Sequence, residues 1–306
     1  MLSGKDIASR TLIPAIPLLT AVAIVLCLQG AADDHPVPQR PELRSISVDS
    51  PQALHQALQE YDFQWPPEQR VPAVAVESFP TGMAEQEVNL RKSLFFRSLL
   101  PLILAENEKI LAKREELTSI HEKLERDSNA ELSDEERTLV EHLQQRFRVE
   151  GDIRDIAVRD KLFRRIDVIP PSLALSQAAN ESGWGTSRFT REANNLFGEW
   201  TWNEEVGLVP QQRREGATHF VRVFPDLHAS VRSYIHNLNI GHAYTLLRQL
   251  RAEARQAGRT ATGMELAQGL ERYSERGQDY IREVRSMILQ NDLHELPEEL
   301  ELVSEP

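Results

Sequence analysis

The stretch LALSQAANESGWGTSRF, residues 173–189, changes character halfway along. Its first half places small and apolar residues at helical spacing, which predicts a helix with a buried face. Pro171 suits the first turn of that helix, and Gly183 is a natural stop at its C-terminal end. The sequence therefore predicts a buried helix that ends directly after Glu181 and Ser182.

Glu181 lies in the last turn of this predicted helix. Unpaired carbonyl groups give a helix C-terminus a partial negative charge, which disfavours ionisation of an acid. Trp184 follows three residues later and would cover the carboxyl, excluding water and favouring the protonated form further. A protonated carboxylic acid is the group that donates a proton when a glycosidic bond is cleaved. The alternative is a surface glutamate near a helix end, and ESGWG alone does not decide between the two.

The composition is that of an ordinary globular protein, with 306 residues, 41% of them hydrophobic and 27% charged. The formal net charge of -12 argues against a nucleic-acid partner, because proteins that bind a polyanion usually present a basic face. Cys27 is the single cysteine, so neither disulfides nor cysteine-based metal sites are expected. Four histidines in the C-terminal half fit no zinc spacing; they are His219, His228, His236 and His242. We therefore expect no metal and no other cofactor.

The first 32 residues have the composition of an export signal or a membrane anchor. Lys5 and Arg10 precede an apolar stretch from Leu12 to Leu28, and small residues follow at 30–32, as at a signal-peptidase site. The stretch is intermediate in length between a secretory core and a membrane span. We expect a periplasmic protein, exported or anchored in the inner membrane. A buried core helix is the alternative.

Composition divides the rest of the chain into three parts. Residues 33–84 are rich in proline and polar side chains, which favours an extended linker with one short helix. Residues 85–291 carry mainly helical patterns and form the expected catalytic domain. Residues 292–306 hold six acids and no lysine or arginine, which predicts a disordered acidic tail. The predicted fold class is mainly helical α+β with a small β lobe.

A charged helical hairpin is predicted within this domain, at about residues 108–161. Apolar residues from Leu99 to Leu124 recur at steps of three, four and seven, which is one face of a long helix. SDEE, residues 133–136, has the pattern of a capping box that opens the next helix. The many charged side chains of the hairpin are most simply a solvated face.

Two stretches have the aromatic and β-branched content of strands, NNLFGEWTW at 194–202 and ATHFVRVF at 217–224. Trp200 and Trp202 are two residues apart, so on a strand they share one face. Such a pair would form a platform for the apolar faces of sugar rings. Packing of these side chains in the core is the alternative.

Three motifs taken together resemble the glucosaminidase family of glycoside hydrolases, family 73, and within it the bacterial Bax group. The motifs are IPPSLALSQAANESGWGTSRF (169–189), NNLFGEW (194–200) and VRVFPDLHASVRSYIHNLN (221–239), and the match runs from about residue 90 to about residue 244. The resemblance implies a lysozyme-like fold in which the charged hairpin is an insertion. It also implies hydrolysis of the β-1,4 bond after N-acetylglucosamine, with peptidoglycan glycan strands as the partner.

The resemblance further implies roles for individual residues. Glu181 would be the general acid, and Tyr234 would polarise or stabilise the 2-acetamido group of the substrate. A buried tyrosine with a satisfied hydroxyl is the alternative for Tyr234. Asn195 would hydrogen-bond an acetamido group, and Phe197 would mainly pack. The residues expected at the substrate are thus Trp184, Asn195, Phe197, Trp200 and Trp202.

The second catalytic group is less well determined. The acids of the expected β lobe are Glu199, Glu204, Glu205, Glu215 and Asp226. Glu215 falls near the place where some relatives carry a second acid, although the residues around it match poorly. The alternative is attack by the substrate's own acetamido group, which needs no second carboxylate.

Two other functions fit the same motifs. A lytic transglycosylase also uses a Glu-Ser motif on a lysozyme-like fold, but Gly-Leu-Met-Gln usually follows it where NNLFGEW stands here. A non-catalytic wall-binding or scaffold protein would hold glycan in its cleft and would bind a protein partner through the hairpin.

Overall fold

The structure, a computed structural model, describes residues 41–210 and 218–304. The α-helices of this part are α1 (Pro51–Glu60), α2 (Val88–Arg126), α3 (Asp134–Phe147), α4 (Ile156–Arg165), α5 (Pro171–Ser182), α6 (Arg188–Ala193), α7 (Leu227–Ile240), α8 (Thr245–Gln256), α9 (Gly263–Leu266) and α10 (Gln278–Gln290). Its strands are β1 (Arg44–Ile46), β2 (Arg70–Pro72), β3 (Val74–Val76), β4 (Trp200–Thr201), β5 (Gly207–Leu208), β6 (Phe220–Arg222) and β7 (Glu301–Val303). The predicted class, mainly helical α+β, is confirmed.

Helix α5 is the predicted buried helix, and it packs against α2, α9 and α10. Its small residues Ala174, Ala178 and Ala179 are buried, so the neighbouring helices can approach its backbone closely. Pro171 occupies the first turn. Gly183 follows the last residue in the left-handed conformation, with φ of 56°, and ends the helix as expected.

Helix α2 extends the core into the predicted hairpin. Every residue from 94 to 107 is buried, although Pro101 lies inside this run. Further along the helix the buried residues reduce to one face, formed by Ile110, Leu117, Ile120 and Leu124. The spacing of seven, three and four residues is therefore that of an exposed helix with one covered stripe. Pro101 does not divide α2 into two helices.

The hairpin contains α3 and α4 after the second half of α2. Ser133 and Glu136 form the predicted capping box at the start of α3. The Ser133 amide donates to Glu136 Oε2 at 2.7 Å, and the Glu136 amide donates to Ser133 Oγ at 3.2 Å. These two bonds satisfy backbone amides that a helix N-terminus otherwise leaves unpaired.

The strands form three small sheets. Strands β1 and β3 pair in parallel, as do β2 and β7. Strands β4, β6 and β5 form an antiparallel sheet with β6 in the middle, where Trp200 is opposite Val221 and Gly207 is opposite Arg222. This third sheet is the predicted β lobe.

Residues 43–84 differ from the extended linker that composition suggests, because they pack on the helical core. Val71, Val74 and Phe79 are buried, and β3 contacts α2. The tail also differs from the disordered segment expected at 292–306, since β7 pairs with β2 and buries Leu302. In both places short apolar runs lie between polar residues and prolines. The average composition of each segment is therefore polar, although these runs are buried in the folded protein.

The segment expected as an export signal or anchor, residues 1–32, lies outside the described residues. Among residues 41–210 and 218–304, none of the helices combines the length and the apolar character needed to cross a membrane.

Candidate active site

Glu181 stands in the last turn of α5, where the backbone changes to the left-handed conformation at Gly183. Its carboxyl is mostly buried, and burial raises its pKa above the usual value. Hydrogen bonds from Tyr280 and Asn180 and the charge of Arg276 lower the pKa in the opposite direction, but burial outweighs them. Burial thus shifts Glu181 towards its protonated form.

A chain of buried hydrogen bonds leads to this carboxyl. The Tyr234 hydroxyl donates to Gln177 Oε1 at 2.7 Å, and Gln177 Nε2 donates to the Tyr280 hydroxyl oxygen at 2.9 Å. The Tyr280 hydroxyl then donates to Glu181 Oε1 at 2.8 Å. Each donor points towards Glu181, so the geometry of the chain fixes which oxygen of the carboxyl accepts.

Aromatic rings enclose this hydrogen-bonded chain. Phe197 stacks on Tyr234 with ring centroids 3.8 Å apart, and Tyr273 stacks on Tyr280 at 5.2 Å. The Tyr273 hydroxyl donates to the Phe197 carbonyl at 3.2 Å, which joins the two stacked pairs. Burial raises the pKa of Tyr234 and of Tyr280, so both hydroxyls keep their protons.

Tyr234 is 2% exposed and its hydroxyl already has a partner in Gln177. The structure therefore places it behind Glu181, as the far end of the hydrogen-bonded chain. That position matches the alternative considered for this residue, a buried tyrosine with a satisfied hydroxyl.

Trp184 packs on the start of α2. Its ring meets Phe95 and Phe96 edge to face, with centroid distances of 5.7 and 5.3 Å. Lys92 Nζ lies 4.8 Å from the centre of the same ring. Next to it, Gly185 has a φ of 77°, and a Cβ there would stand 2.7 Å from the ring of Phe79. The loop after Glu181 is therefore held by α2 and by Phe79, which precedes α2 in the chain.

Asn195 is buried and holds the loop that leads into the β lobe. Its Nδ2 donates to the carbonyls of Glu199 and Arg222 at 2.9 and 2.8 Å, and its Oδ1 accepts from the Glu199 amide at 2.9 Å. These bonds all go to backbone, so the side chain acts as a bridge between the loop and β6. This use of the side chain differs from the predicted contact with an acetamido group.

Glu199 is the acid of the β lobe that the fold buries. Its Oε2 accepts from Ser233 Oγ at 2.8 Å and lies 3.4 Å from Arg222 Nη1. Burial raises the pKa of this carboxyl, although Ser233 and Arg222 lower it. Its Oε1 is buried without a hydrogen-bond partner in the part of the chain described. In the sequence, Glu199 is one of five acids of the expected β lobe, because burial cannot be recognised from a single Glu between Gly198 and Trp200.

The other acids of the β lobe are placed differently. Glu204 and Glu205 are exposed in a short 3₁₀ turn. Asp226 caps α7, where its Oδ1 accepts from the Ala229 amide at 2.6 Å. Glu215 lies within residues 211–217, outside the described residues.

Trp200 and Trp202 are 49% and 74% exposed. Trp200 meets the ring of His219 edge to face at 4.4 Å. Both indoles are therefore available at the surface of the β lobe, and neither is packed in the core.

The histidines do not assemble a metal site. Within residues 41–210 and 218–304, no group of three or more His, Cys, Asp and Glu side chains is placed to hold a metal ion. His228 Nε2 lies 2.6 Å from Glu106, and His236 packs on Phe147. Burial lowers the pKa of His236 to about 4.

Gln177, Tyr273 and Tyr280 were not among the residues predicted for the site from the sequence. Gln177 is one helical turn before Glu181, so it shares a face with the acid, which was an available indication. Tyr280 lies 99 residues beyond Glu181, and no local pattern connects the two.

Three comparisons relate the chain to known proteins. Residues 160–293 match the family described as Glucosaminidase, mannosyl-glycoprotein endo-beta-N-acetylglucosaminidase. Over 192 residues the chain is 33% identical to Protein bax from Escherichia coli (strain K12). The matched region covers 62% of this chain and 66% of that protein. The structure also has similarity to a C-terminally truncated glycoside hydrolase domain of FlgJ from Salmonella typhimurium, with a TM-score of 0.30 and 21% identity over 41% of this chain and 85% of that one. Residues 160–293, which contain Glu181 and its hydrogen-bonded chain, are therefore a domain of the glucosaminidase family.

Proposed function

We propose that this protein hydrolyses peptidoglycan by cleaving the β-1,4 bond after N-acetylglucosamine, with Glu181 as the general acid. The observation that carries the proposal is the environment of Glu181, a mostly buried carboxyl with a raised pKa at the end of a helix of the glucosaminidase domain. Cleavage of a glycosidic bond requires protonation of the leaving oxygen, and an acid whose pKa is raised by burial holds its proton to higher pH and can supply it.

Tyr280 determines which oxygen of Glu181 would carry that proton. Because the Tyr280 hydroxyl donates to Oε1, the proton of the neutral acid belongs on Oε2. Tyr234 and Gln177 support this arrangement from behind, since Gln177 donates to the Tyr280 oxygen and so orients its hydroxyl proton. Tyr234 thus acts on Glu181 through two hydrogen-bonded residues, Gln177 and Tyr280.

The exposed Trp200 and Trp202 would bind glycan on the β lobe by stacking on the apolar faces of sugar rings. The second catalytic group would be an acid of this lobe, with Glu215 as the earlier candidate, or the acetamido group of the substrate itself. A periplasmic location, through export or an inner-membrane anchor, is part of the same proposal.

Product analysis tests the bond that is cleaved. Purified peptidoglycan is digested with the protein, and the new reducing ends are reduced with borohydride and identified. We expect reduced N-acetylglucosamine. Reduced N-acetylmuramic acid would contradict the bond assignment, and anhydro sugars would show a lytic transglycosylase instead.

The variant Glu181→Gln tests the acid. It keeps the acceptor oxygen for Tyr280 but cannot donate an acidic proton, so the turnover rate should fall about 10²–10⁴-fold. Glu192→Gln on α6, which removes an exposed carboxylate paired with Arg188, should retain activity as the control. If Glu181→Gln cleaves as fast as wild type, or if neither protein cleaves while both bind cell-wall material, the proposed acid is wrong.

Folding of the variant is checked at the same time. Because the pKa of Glu181 is raised in the folded protein, ionisation of this carboxyl at neutral pH opposes folding. Glu181→Gln removes that penalty, so at pH 7 its unfolding temperature should be no lower than that of wild type.

A further inference from the structure

A cavity of about 380 Å³ lies between α1, the residues that follow it, and α2. This size lies within the range of small-molecule sites in proteins. None of its lining residues belongs to the candidate active site. The residues that line it are His55, Gln59, Asp62, Phe63, Gln64 and Arg97.

Arg97 is the unusual member of this set. It belongs to the fully buried run of α2 and is 3% exposed, yet its Nε and Nη2 have no hydrogen-bond partner among the residues described. Its guanidinium lies over the ring of Phe63, 5.6 Å from the ring centre. Nε–H and Nη2–H form one edge of the guanidinium plane, and this edge binds the two oxygens of a carboxylate side by side.

The other buried arginines of the described chain show what Arg97 lacks. Arg251 donates to three backbone carbonyls and to Asn239 Oδ1. Arg159 donates to the carbonyls of Ile153 and Arg154, and Arg248 donates to those of Leu238 and Gly241. Each of these three buried guanidinium groups donates several hydrogen bonds, whereas Nε and Nη2 of Arg97 have no partner among the residues described.

Leaving a buried cation unpaired is costly. Burial lowers the pKa of Arg97 to about 10. An anion bound in the cavity would offset the cost of the unpaired charge. It would also accept hydrogen bonds from both free N–H groups.

We propose that this cavity binds a ligand of amino-acid or dipeptide size through its carboxylate, which the Nε and Nη2 edge of Arg97 holds. Phe63 provides an apolar wall, and the Gln59 and Gln64 amides provide neutral hydrogen-bonding groups. His55 Nδ1 is also buried without a hydrogen-bond partner among the residues described, so a polar group of the ligand could pair with it.

The charge of the lining favours a carboxylate over a phosphate. Among the described residues, Arg97 is the only Lys or Arg that lines the cavity, and Asp62 adds a negative charge to the same wall. One guanidinium balances one carboxylate, whereas a phosphate dianion would leave a negative charge uncompensated and close to Asp62. An ammonium group on the ligand would have Asp62 as its partner.

Nuclear magnetic resonance of the arginine Nε–H groups tests the proposal directly, on the whole protein. The Arg97 resonance, assigned by its absence from Arg97→Met, is followed during titration with acetate, alanyl-alanine, alanyl-alanine amide or inorganic phosphate. We expect a saturable shift with acetate and a larger affinity for alanyl-alanine. The amide, which lacks the carboxylate, should leave the resonance in place.

Three results would overturn the proposal. One is the absence of any shift with the carboxylates at concentrations up to tens of millimolar. Another is an equal shift with alanyl-alanine amide, and the third is a phosphate affinity equal to or above that of the carboxylates.

Thermal unfolding separates a binding residue from a structural one. Arg97→Met removes an unpaired buried charge, so we expect an unfolding temperature at or above that of wild type and the loss of any stabilisation by alanyl-alanine. Arg251→Met, in contrast, should lower the unfolding temperature, because Arg251 neutralises the buried Asp167. If Arg97→Met is destabilised as strongly as Arg251→Met, Arg97 is a structural cation and the proposal fails.

A milder variant measures the affinity. Arg97→Lys keeps the charge but loses the two-donor edge, and we expect alanyl-alanine to bind about tenfold more weakly or worse. Unchanged affinity would count against bidentate binding. Glu181→Gln should bind alanyl-alanine as wild type does, so failure of the hydrolase proposal leaves this test intact.

Discussion

At the scale of single residues, Glu181 shows two opposing effects on one carboxyl. Burial raises its pKa, while the hydrogen bonds from Tyr280 and Asn180 lower it. Burial wins, yet the bond from Tyr280 remains necessary because it holds the carboxyl in one orientation. Tyr280 thus lowers the pKa of Glu181 and also fixes the orientation of the carboxyl that would donate the proton.

This balance leads to a prediction for Tyr280→Phe. In the proposed mechanism, activity requires protonated Glu181 and is lost as the pH rises through the pKa of this carboxyl. The variant lacks the hydrogen bond that lowers this pKa, so the basic limb of the pH–rate profile should move to higher pH. We also expect the maximal rate to fall about tenfold, because the proton is no longer confined to Oε2. Steady-state rates over a range of pH measure both effects.

Tyr273→Phe is the matched control. It removes a hydroxyl that donates to the Phe197 carbonyl and leaves the bond between Tyr280 and Glu181 in place. Its pH profile should therefore coincide with that of wild type. A basic limb that stays in place in Tyr280→Phe, or moves to lower pH, would refute the assigned role of Tyr280.

At the scale of elements, the charged hairpin is tied to the neighbouring helices by a buried acid. Asp167, two residues after the end of α4, accepts two hydrogen bonds from Arg255 on α8, and Arg251 and Arg114 lie 3.7 Å from it. Burial alone would raise the pKa of Asp167, but Arg255, Arg251 and Arg114 together lower it. Asp167 therefore stays ionised and joins α4 to α8 and α2.

Asp167→Asn should destabilise the protein by about 3–5 kcal/mol, because it leaves the fully buried Arg251 without an opposite charge. Chemical unfolding at neutral pH measures this change. Asp160→Asn, an exposed carboxylate on α4, should change the stability by no more than about 0.5 kcal/mol. Equal stabilities of the two variants would mean that the buried pair contributes little.

The contribution of Asp167 also has a pH dependence with a definite sign. Since the pKa is lowered in the folded state, the stabilisation is complete above the unfolded value near 3.8 and is lost as the pH falls below it. The difference between wild type and Asp167→Asn should accordingly shrink under acidic conditions.

At the scale of the whole molecule, segments far apart in the chain close the same core. Strand β2 near the N-terminal end of the described chain pairs in parallel with β7 near its C-terminal end, and β7 also contacts α2. Phe79 reaches the loop after Glu181, where its ring stacks on Phe95 at 5.4 Å and faces Gly185. Residues 43–84 and 301–303 are therefore part of the structure that supports the site.

Leu302→Ala should lower the free energy of unfolding by about 2–5 kcal/mol, the range for truncating a buried leucine. Leu302 is buried, and its strand β7 pairs with β2 and contacts α2. Leu289→Ala makes the same chemical change at an exposed position of α10 and should have little effect. If the two variants have the same unfolding midpoint in urea, residues 300–304 do not contribute to the core as described.

Elements that depend on local interactions could be predicted from the sequence alone. The small residues of 173–182 and Gly183 determine α5 and its end, Ser133 and Glu136 determine the start of α3, and the spacing from Leu99 to Leu124 determines the long helix. These predictions succeeded because helix periodicity and capping depend on residues only a few positions apart. The three family motifs likewise led to the correct family and to Glu181 as a candidate.

The residues that surround Glu181 and the segments that pack on the core depend on contacts that form only in the folded chain. Gln177 and Tyr280 meet across 103 residues, and β2 meets β7 across more than two thirds of the chain. Such contacts have no local periodicity, so Tyr280 went unnoticed and residues 43–84 resembled a linker. Burial, which sets the pKa of Glu181 and leaves Arg97 unpaired, likewise arises only when distant elements exclude water together.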